Sequence, residues 1–406
     1  MKHLIVPFSP PDVGEAEISA VSEVIRSGWI TTGPKTELFE KKLTEYICAP
    51  RMCCLSSGTA AEEMNLRLLG IGKGDEVIVP SYTYTATVSA VIHTGAKAVP
   101  VDCAPDSYEM DYEKAAALIN EKTKAIIAAD LFGIPCDYEK IYAIVNDKRS
   151  QFQANGDSSL SKRIQKAIDR VIVIADAAHA LGAKRNGVHV GQLADFSSFS
   201  FHAVKNLTTA EGGASTWRSL ADRGIDDEEI YRGIHVYSLH GQTKDAMEKE
   251  TGSWEYDVIG HWYKCNMTDI SAAFGLAQFE RYPSMLERRK KLIERYDEMC
   301  ERHGLYHLSH ITKNTQSSCH LYIVRLPGYK EKERNQLIQR MFEAGVACNV
   351  HYKPLAMLTA YKKLGWYIED FPNAYHFYEN EITLPLYSTL TDEKQEYVIE
   401  KFEELL

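Results

Sequence analysis

Lys205 stands in Phe199-Ser200-Phe201-His202-Ala203-Val204-Lys205-Asn206, a short way after the apolar run Val171-Ile172-Val173-Ile174-Ala175 that ends in Asp176-Ala177-Ala178-His179. An amine and a carboxylate delivered by neighbouring β-rich runs are what pyridoxal 5'-phosphate (PLP) chemistry requires. The amine condenses with the cofactor aldehyde, and the carboxylate pairs with the protonated pyridine nitrogen. That pairing keeps the ring electron-withdrawing, so carbanion charge on a substrate can spread into it. Burial and a nearby cationic ring lower the pKa of such an amine and favour the neutral nucleophile. A lone Lys is otherwise a solvated surface residue. This one lies between an apolar strand and Thr208-Thr209-Ala210-Glu211-Gly212-Gly213, a poor place for a solubilising charge.

Other groups admit two roles each. Asp176 is a pyridinium counter-ion or an N-cap or turn residue. His179 is a structural histidine or a donor to the cofactor's phenolic oxygen. Ser56-Ser57-Gly58-Thr59-Ala60 opens a helix whose N–H groups, positive dipole end and hydroxyls would hold a phosphate; the plain alternative is a Ser/Thr N-cap. Ser200 is a further phosphate ligand by the same logic. Tyr84, in Pro80-Ser81-Tyr82-Thr83-Tyr84, offers a ring to stack on a flat cofactor or packs at a strand–helix turn. Asn266 precedes a long helix and reads as its cap. His303, His307 and His310 have metal-like separations, but nothing near them completes a ligand set, so no metal is expected. Gly212-Gly213 reads as a simple turn.

The elements that must position these groups alternate from about residue 15 to 255. Helical patterns at Glu15 to Arg26, Thr36 to Ile47 and Thr59 to Leu69 are followed by short apolar strands at Glu76 to Pro80, Ala98 to Val101, Ala125 to Ala129, Val171 to Ala175, Ser197 to Phe201 and Gly213 to Trp217. Short continuous apolar runs with helical crossovers imply an α/β chain with a mostly parallel sheet covered on both faces, its function at the strands' carboxyl ends. Asp147 to Arg170 is a polar surface excursion with some helix at its end, and Asp226 to Asp257 an irregular stretch able to cover a site. A long helical pattern begins at Thr268, and Pro283 should break or kink it. Strands near Leu321–Leu326 and Ala347–His351 and helices near Lys332–Glu343 and Asp392–Leu405 suggest a small α/β unit. The expected division is a large cofactor-binding domain over 1–260, with an N-terminal arm and an insertion at 147–170. The long helix and a small C-terminal domain then occupy 261–406.

The chain has 406 residues, 45% hydrophobic and 25% charged, and a net charge of −10. That balance offers no basic footprint for nucleic acid or an anionic membrane. Nine cysteines without metal-like spacing read as reduced thiols. The apolar run at the N-terminus is too short for a signal peptide, and no stretch approaches the roughly 18 apolar residues of a membrane span. A cytoplasmic location is expected.

Together these segments resemble the DegT–DnrJ–StrS family of sugar-nucleotide aminotransferases, with the type I PLP-dependent transferase fold. The likeness runs from Gly28-Trp29-Ile30-Thr31-Thr32-Gly33-Pro34 to Leu384-Pro385-Leu386-Tyr387. Between them lie Gly74-Asp75-Glu76-Val77-Ile78-Val79-Pro80-Ser81, the Asp176 and Lys205 motifs, Asn266-Met267-Thr268-Asp269-Ile270 and His351-Tyr352-Lys353-Pro354-Leu355. The resemblance implies that Lys205 carries the cofactor as an imine and Asp176 holds its ring nitrogen. His179 would lie near the ring hydroxyl, Tyr84 would stack on the ring, and Gly58, Thr59 and Ser200 would hold the phosphate. Asn266 would reach the phosphate in a neighbouring subunit, implying a homodimer with composite sites. Thr31, His202, His240 and His351 are the substrate-contact candidates.

Some members of the family carry His at the Lys205 position and dehydrate; the Lys here favours transamination from an amino acid, by analogy glutamate. Phe-His-Ala-Val-Lys-Asn, with Leu239-His240-Gly241, is most similar to the branch that aminates C4 of UDP-linked 4-keto sugars. A PLP-dependent lyase or dehydratase and a non-catalytic PLP-binding regulator are the competing readings. Two departures stand out: Ala356 where a His commonly follows Pro-Leu, expected to remove a polar contact near the substrate mouth, and the long 147–170 excursion.

Overall fold

The computed structural model describes residues 4–243 and 255–406. Two amphipathic helices come first, α1 (Glu15–Ser27) and α2 (Pro34–Ile47), followed by β1 (Met52–Leu55), α3 (Gly58–Leu68), β2 (Glu76–Pro80), α4 (Thr85–Thr94) and β3 (Lys97–Val101). Next come α5 (Tyr112–Leu118), β4 (Thr123–Ala129), α6 (Tyr138–Asp147), α7 (Ser159–Ile168) and β5 (Ile172–Asp176). A hairpin, β6 (Lys184–Arg185) and β7 (Val188–His189), precedes β8 (Phe196–Ser200), β9 (Gly213–Trp217) and α8 (Asp227–Ser238). Asn186 and Gly187 link the hairpin with φ of 50° and 78°, the paired positive values that a two-residue turn between twisted strands requires.

Seven strands form the main sheet in the order β1-β9-β8-β5-β4-β2-β3. Every pair from β8 to β3 is parallel, and β9 runs antiparallel to both β8 and β1. The apolar runs are continuous because both faces are covered. On β5, Ile172 and Ile174 enter one core while Val173 and Ala175 enter the other. Truncating one such isoleucine to Ala removes about 2–5 kcal/mol.

After the main sheet, α9 (Asp269–His303) runs for 35 residues. Its N-cap is Thr268, whose hydroxyl accepts from Ser271 N, so Asn266 is not the cap. Pro283 neither ends nor divides the helix, contrary to the sequence expectation. Tertiary anchors on both sides outweigh the one lost backbone bond: Tyr282 donates to Leu181 O at 2.8 Å, and the buried Arg289 donates to Leu386 O at 3.1 Å. Gly304 closes the helix at φ 61°.

A second, antiparallel sheet contains β10 (Tyr306–His307), β12 (Tyr322–Arg325) and β13 (Glu381–Leu384), in the order β10-β12-β13. β11 (Thr315–Gln316) instead joins the hairpin through β6. With α9, α10 (Glu331–Glu343) and the helix Asp392–Leu405, the second sheet encloses its own core around Tyr296, Tyr322, Leu337, Ile382 and Phe402.

Three further expectations are corrected. No strand forms over 347–351; Asn349 alone exchanges a pair of backbone bonds with Thr383, at 3.1 and 2.8 Å. The stretch from Asp226 begins with α8 instead of irregular chain, and residues 244–254 lie outside the described residues. Within 147–170, the helix expected at its end is α7, opened by a Ser158–Ser161 capping box, but it buries Ile164 and Ile168, so that part lies in the core and not at the surface.

Candidate active site

Strand ends and helix starts converge on one cavity of about 460 Å³. It is lined by Gly58 and Thr59 at the start of α3, Tyr84 at the N-cap of α4, Asp176 at the end of β5, His179, Ser200 at the end of β8, His202, Lys205 and His351. This is the carboxyl edge of the parallel strands, where helix dipoles and loose backbone groups collect.

Close backbone approach builds the helix-start corner. A Cβ on Gly58 would stand 2.9 Å from Ser200 Cβ, and one on Gly213 would stand 2.4 Å from Gly58 N and 2.3 Å from Ser57 C. Gly213 is therefore the residue that lets β9 pass beneath the start of α3, not merely a turn glycine. Ser57 caps the helix by accepting from Ala60 N at 3.0 Å, which leaves the Gly58 and Thr59 end facing the cavity.

Asp176 is held by two donors. Thr87 Oγ1 donates to its Oδ2 at 2.6 Å, and Ala178 N to its Oδ1 at 3.2 Å. The chain after it turns without entering a helix, so the carboxylate serves no N-cap. Lys205 lies in a loop closed by Phe201 N to Gly212 O at 2.8 Å and Thr209 N to Phe201 O at 2.9 Å. Its neighbour Asn206 pins that loop, donating to Ser318 O at 2.6 Å and meeting His320 Nδ1 at 2.9 Å. Burial lowers the Lys205 amine to about 8, with the Asp176 charge partly opposing the shift.

His179 accepts from Phe132 N through Nδ1 at 3.1 Å, and its Nε2 lies 3.1 Å from Tyr352 Oη. Burial, then the charge of Lys205, holds its pKa well below the usual value, so the ring is neutral. With Nδ1 accepting, the proton is on Nε2, which points toward Tyr352. His351 is likewise neutral, lowered to about 3 by burial, and its Nδ1 meets Thr383 Oγ1 at 3.0 Å.

Thr31, His240 and Asn266 do not line this cavity. They share a separate patch: Thr31 O accepts from Asp269 N at 3.0 Å, His240 N donates to Tyr263 O at 2.6 Å, and Asn266 Nδ2 donates to Thr32 Oγ1. Leu239 bridges to Lys264 beside them. Ala356 is fully buried in the core, away from the cavity, which corrects its placement at a substrate mouth.

Several lining residues escaped the sequence reading: Glu62, Thr83, Thr87, Asp130, Glu211 and Tyr352. Tyr352 was signalled by its place beside His351 in a turn-rich motif. Nothing in the sequence distinguishes Glu62 from a solvated helix residue.

The donor set fits PLP: one depressed amine, one doubly supported carboxylate, a neutral histidine and an open helix start face one another across a space of cofactor size. The sequence profile of the DegT/DnrJ/EryC1/StrS aminotransferase family matches residues 11–151 and 161–403, leaving out only the middle of the polar excursion between them. The putative sugar aminotransferase Spr1654 from Streptococcus pneumoniae superposes in its apo form with a TM-score of 0.94 and 51% identity, covering 99% of this chain and 98% of that one. The same protein has been solved in PLP and PMP forms, each superposing with a TM-score of 0.93 and 50% identity. The spore coat polysaccharide biosynthesis protein SpsC of Bacillus subtilis is 33% identical over 99% of this chain and 97% of its own length. The UDP-4-amino-4-deoxy-L-arabinose--oxoglutarate aminotransferase of Shewanella sediminis is 34% identical over 100% and 99%. With its type I PLP-dependent transferase architecture, this chain belongs to the DegT/DnrJ/EryC1/StrS aminotransferase family.

Proposed function

We propose that the protein is a PLP-dependent aminotransferase that moves an amino group from an amino acid, glutamate, to a keto sugar carried on a nucleotide. The position aminated is C4 of a UDP-linked 4-keto sugar, and the product serves cell-surface polysaccharide synthesis. The observation that carries this reading is the shared cavity of Lys205, Asp176 and the Gly58–Thr59 helix start. Names of the relatives support the sugar class and the polysaccharide setting.

PLP supplies an aldehyde carbon for the amine and a ring that takes up carbanion charge. The chain's own residues do the rest. Lys205 Nζ would be the nucleophile and the base that carries a proton to and from the substrate carbon. Asp176, fixed by Thr87 and Ala178, would keep the ring nitrogen charged. His179 would lie near the ring hydroxyl, Tyr84 would cover the ring, and Gly58, Thr59 and Ser200 would hold the phosphate. His202 and His351 meet the sugar at the cavity wall. Thr31, His240 and Asn266 serve the site of a second copy in a cytoplasmic homodimer, the long helix and second sheet forming the small C-terminal domain.

The test is to load the enzyme in its amine form, add 4-keto and 3-keto nucleotide sugars, and follow return of the aldehyde form's absorbance with amino-sugar product by mass spectrometry. Return with a UDP-4-keto sugar is expected. Loss of water or ammonia without an amino donor overturns transamination, and no reaction with any keto sugar overturns the substrate class.

A further inference from the structure

Glu62 lies about one helical turn beyond the Gly58–Thr59 end of α3, buried where the helix packs on β8. Ser198 Oγ donates to its Oε2, and its Oε1 is buried with no hydrogen-bond partner. Ser198 stands directly opposite Asp176 in the parallel register of β5 and β8. By strand alternation, Ser198 and Ser200 share one sheet face, the face that meets α3. Glu62 and Asp176 line the same cavity, so the chain places a second carboxyl beside the one assigned to the ring nitrogen.

The two carboxyls are supported unequally. Asp176 accepts from a hydroxyl and a backbone N–H, whereas Glu62 accepts one hydroxyl and has a bare oxygen. Among the described residues no cation forms an ion pair with Glu62. On α3 itself, Glu63 is engaged by Arg67 and His93. Thr83 comes from the turn before α4 and Thr87 from α4 itself; on β9, Ser215 donates to Asn65; on α8, Tyr231 donates to Glu40; β1 contributes the thiols of Cys53 and Cys54. Lys205, His179, His202, Glu211, His351, Tyr84, Tyr352 and Asp130 are the other titratable groups around the cavity, and burial raises Asp130 as well, to about 7. A buried carboxyl so placed keeps its proton: burial, then the charge of Asp176, pushes Glu62 up to about 8.

We propose that Glu62 is a positioning residue at the ring-nitrogen end of the site, neutral in the working enzyme, holding Ser198 against the Asp176 edge and becoming a second anion there in alkaline solution. The inference rests on the assignment of Asp176 to the ring nitrogen. While protonated, Glu62 adds no charge beside Asp176. Once ionised, it adds field that favours protonated nitrogens in the cavity, including the one Lys205 contributes.

The test compares the wild-type holoenzyme with Glu62→Gln and Glu62→Leu, titrating the absorbance of the Lys205–PLP adduct from about pH 6 to about pH 10. Wild type and Glu62→Gln should coincide at the acid end. At the alkaline end the wild-type adduct should hold its proton about threefold more strongly or better. Glu62→Leu, which frees Ser198, should differ from wild type at every pH. Coincidence of wild type and Glu62→Gln throughout, or an equal offset at both ends, overturns the proposal. Infrared difference spectra of the apo chain, wild type against Glu62→Leu, provide an independent readout: a protonated carboxyl band owed to Glu62, distinct from those of Glu40, Asp130 and Glu381, present at neutral pH and lost in alkali. Its absence at neutral pH overturns the proposal, even if Glu62→Gln fails to fold. A wild-type protein with no adduct band defeats the cofactor-site assignment instead, and the infrared band then decides the state of Glu62 alone.

Discussion

The Thr87 hydroxyl donates to Asp176 Oδ2 at 2.6 Å, and Thr83 braces Thr87 at 2.9 Å. The carboxylate is thus aimed by the first turn of α4, an element far from it in sequence. A hydrogen bond to a charged group contributes about 1.5–3 kcal/mol. Thr87→Val should therefore weaken PLP retention by about tenfold or more, and Thr87→Ser should restore most of it. Cofactor titration by absorbance measures both.

Lys205→Ala should reduce turnover by at least about a thousandfold, since nucleophile and proton carrier are removed together. Borohydride treatment followed by peptide mass mapping should fix the cofactor to Lys205 in the wild type and nowhere in the variant. Full activity in the variant would refute the assignment.

The Lys205 amine, lowered to about 8 by burial, sets the pH dependence of cofactor capture. Only the neutral amine attacks, so the capture rate of the apo chain should rise with pH and level off above about 8; below that, it should fall about tenfold per unit. Asp176 opposes the shift, so Asp176→Asn should move the midpoint lower. Stopped-flow absorbance gives both midpoints, and a midpoint near that of an ordinary lysine contradicts the burial.

Gly58→Ala places a methyl 2.9 Å from Ser200 Cβ, and Gly213→Ala places one 2.3 Å from Ser57 C. The first neighbour is a side-chain atom and the second is backbone. Gly213→Ala should therefore lower thermal stability more, by about 1–3 kcal/mol, while both weaken PLP binding. Calorimetry with and without cofactor separates the two effects.

Co-expression of Lys205→Ala with Asn266→Ala tests the shared site. If Asn266 serves the partner's cofactor, half of a random dimer population is mixed and each mixed dimer has one intact site, so about a quarter of wild-type activity should return. No recovery would place Asn266 outside the partner's site.

The parts legible in the sequence are those carried by local runs. Asp176 and Lys205 each end or follow an apolar strand, and Gly58-Thr59 announces a helix start, so the strand-end placement follows from pattern alone. What the pattern hides depends on partners distant in the chain. Glu62 reads as a solvated helix residue until β8 is seen to cover it. Gly213 reads as a turn until its Cβ position is found to overlap Ser57. Pro283 fails to break α9 because Tyr282 and Arg289 anchor the helix on either side. Ala356 stands where a His is expected after Pro-Leu near the substrate mouth, yet its side chain lies in packed core.

Pairing of β11 with β6, together with the exchange of Val6 with Gly345 and Ala347 at 2.8 and 3.0 Å, ties the C-terminal sheet region to the hairpin and to the N-terminal arm. Two such seams brace that region, so His351 and Tyr352 are presented to the cavity from a backbone tied at both the hairpin and the arm, while Tyr84 and His202 stand exposed at the rim.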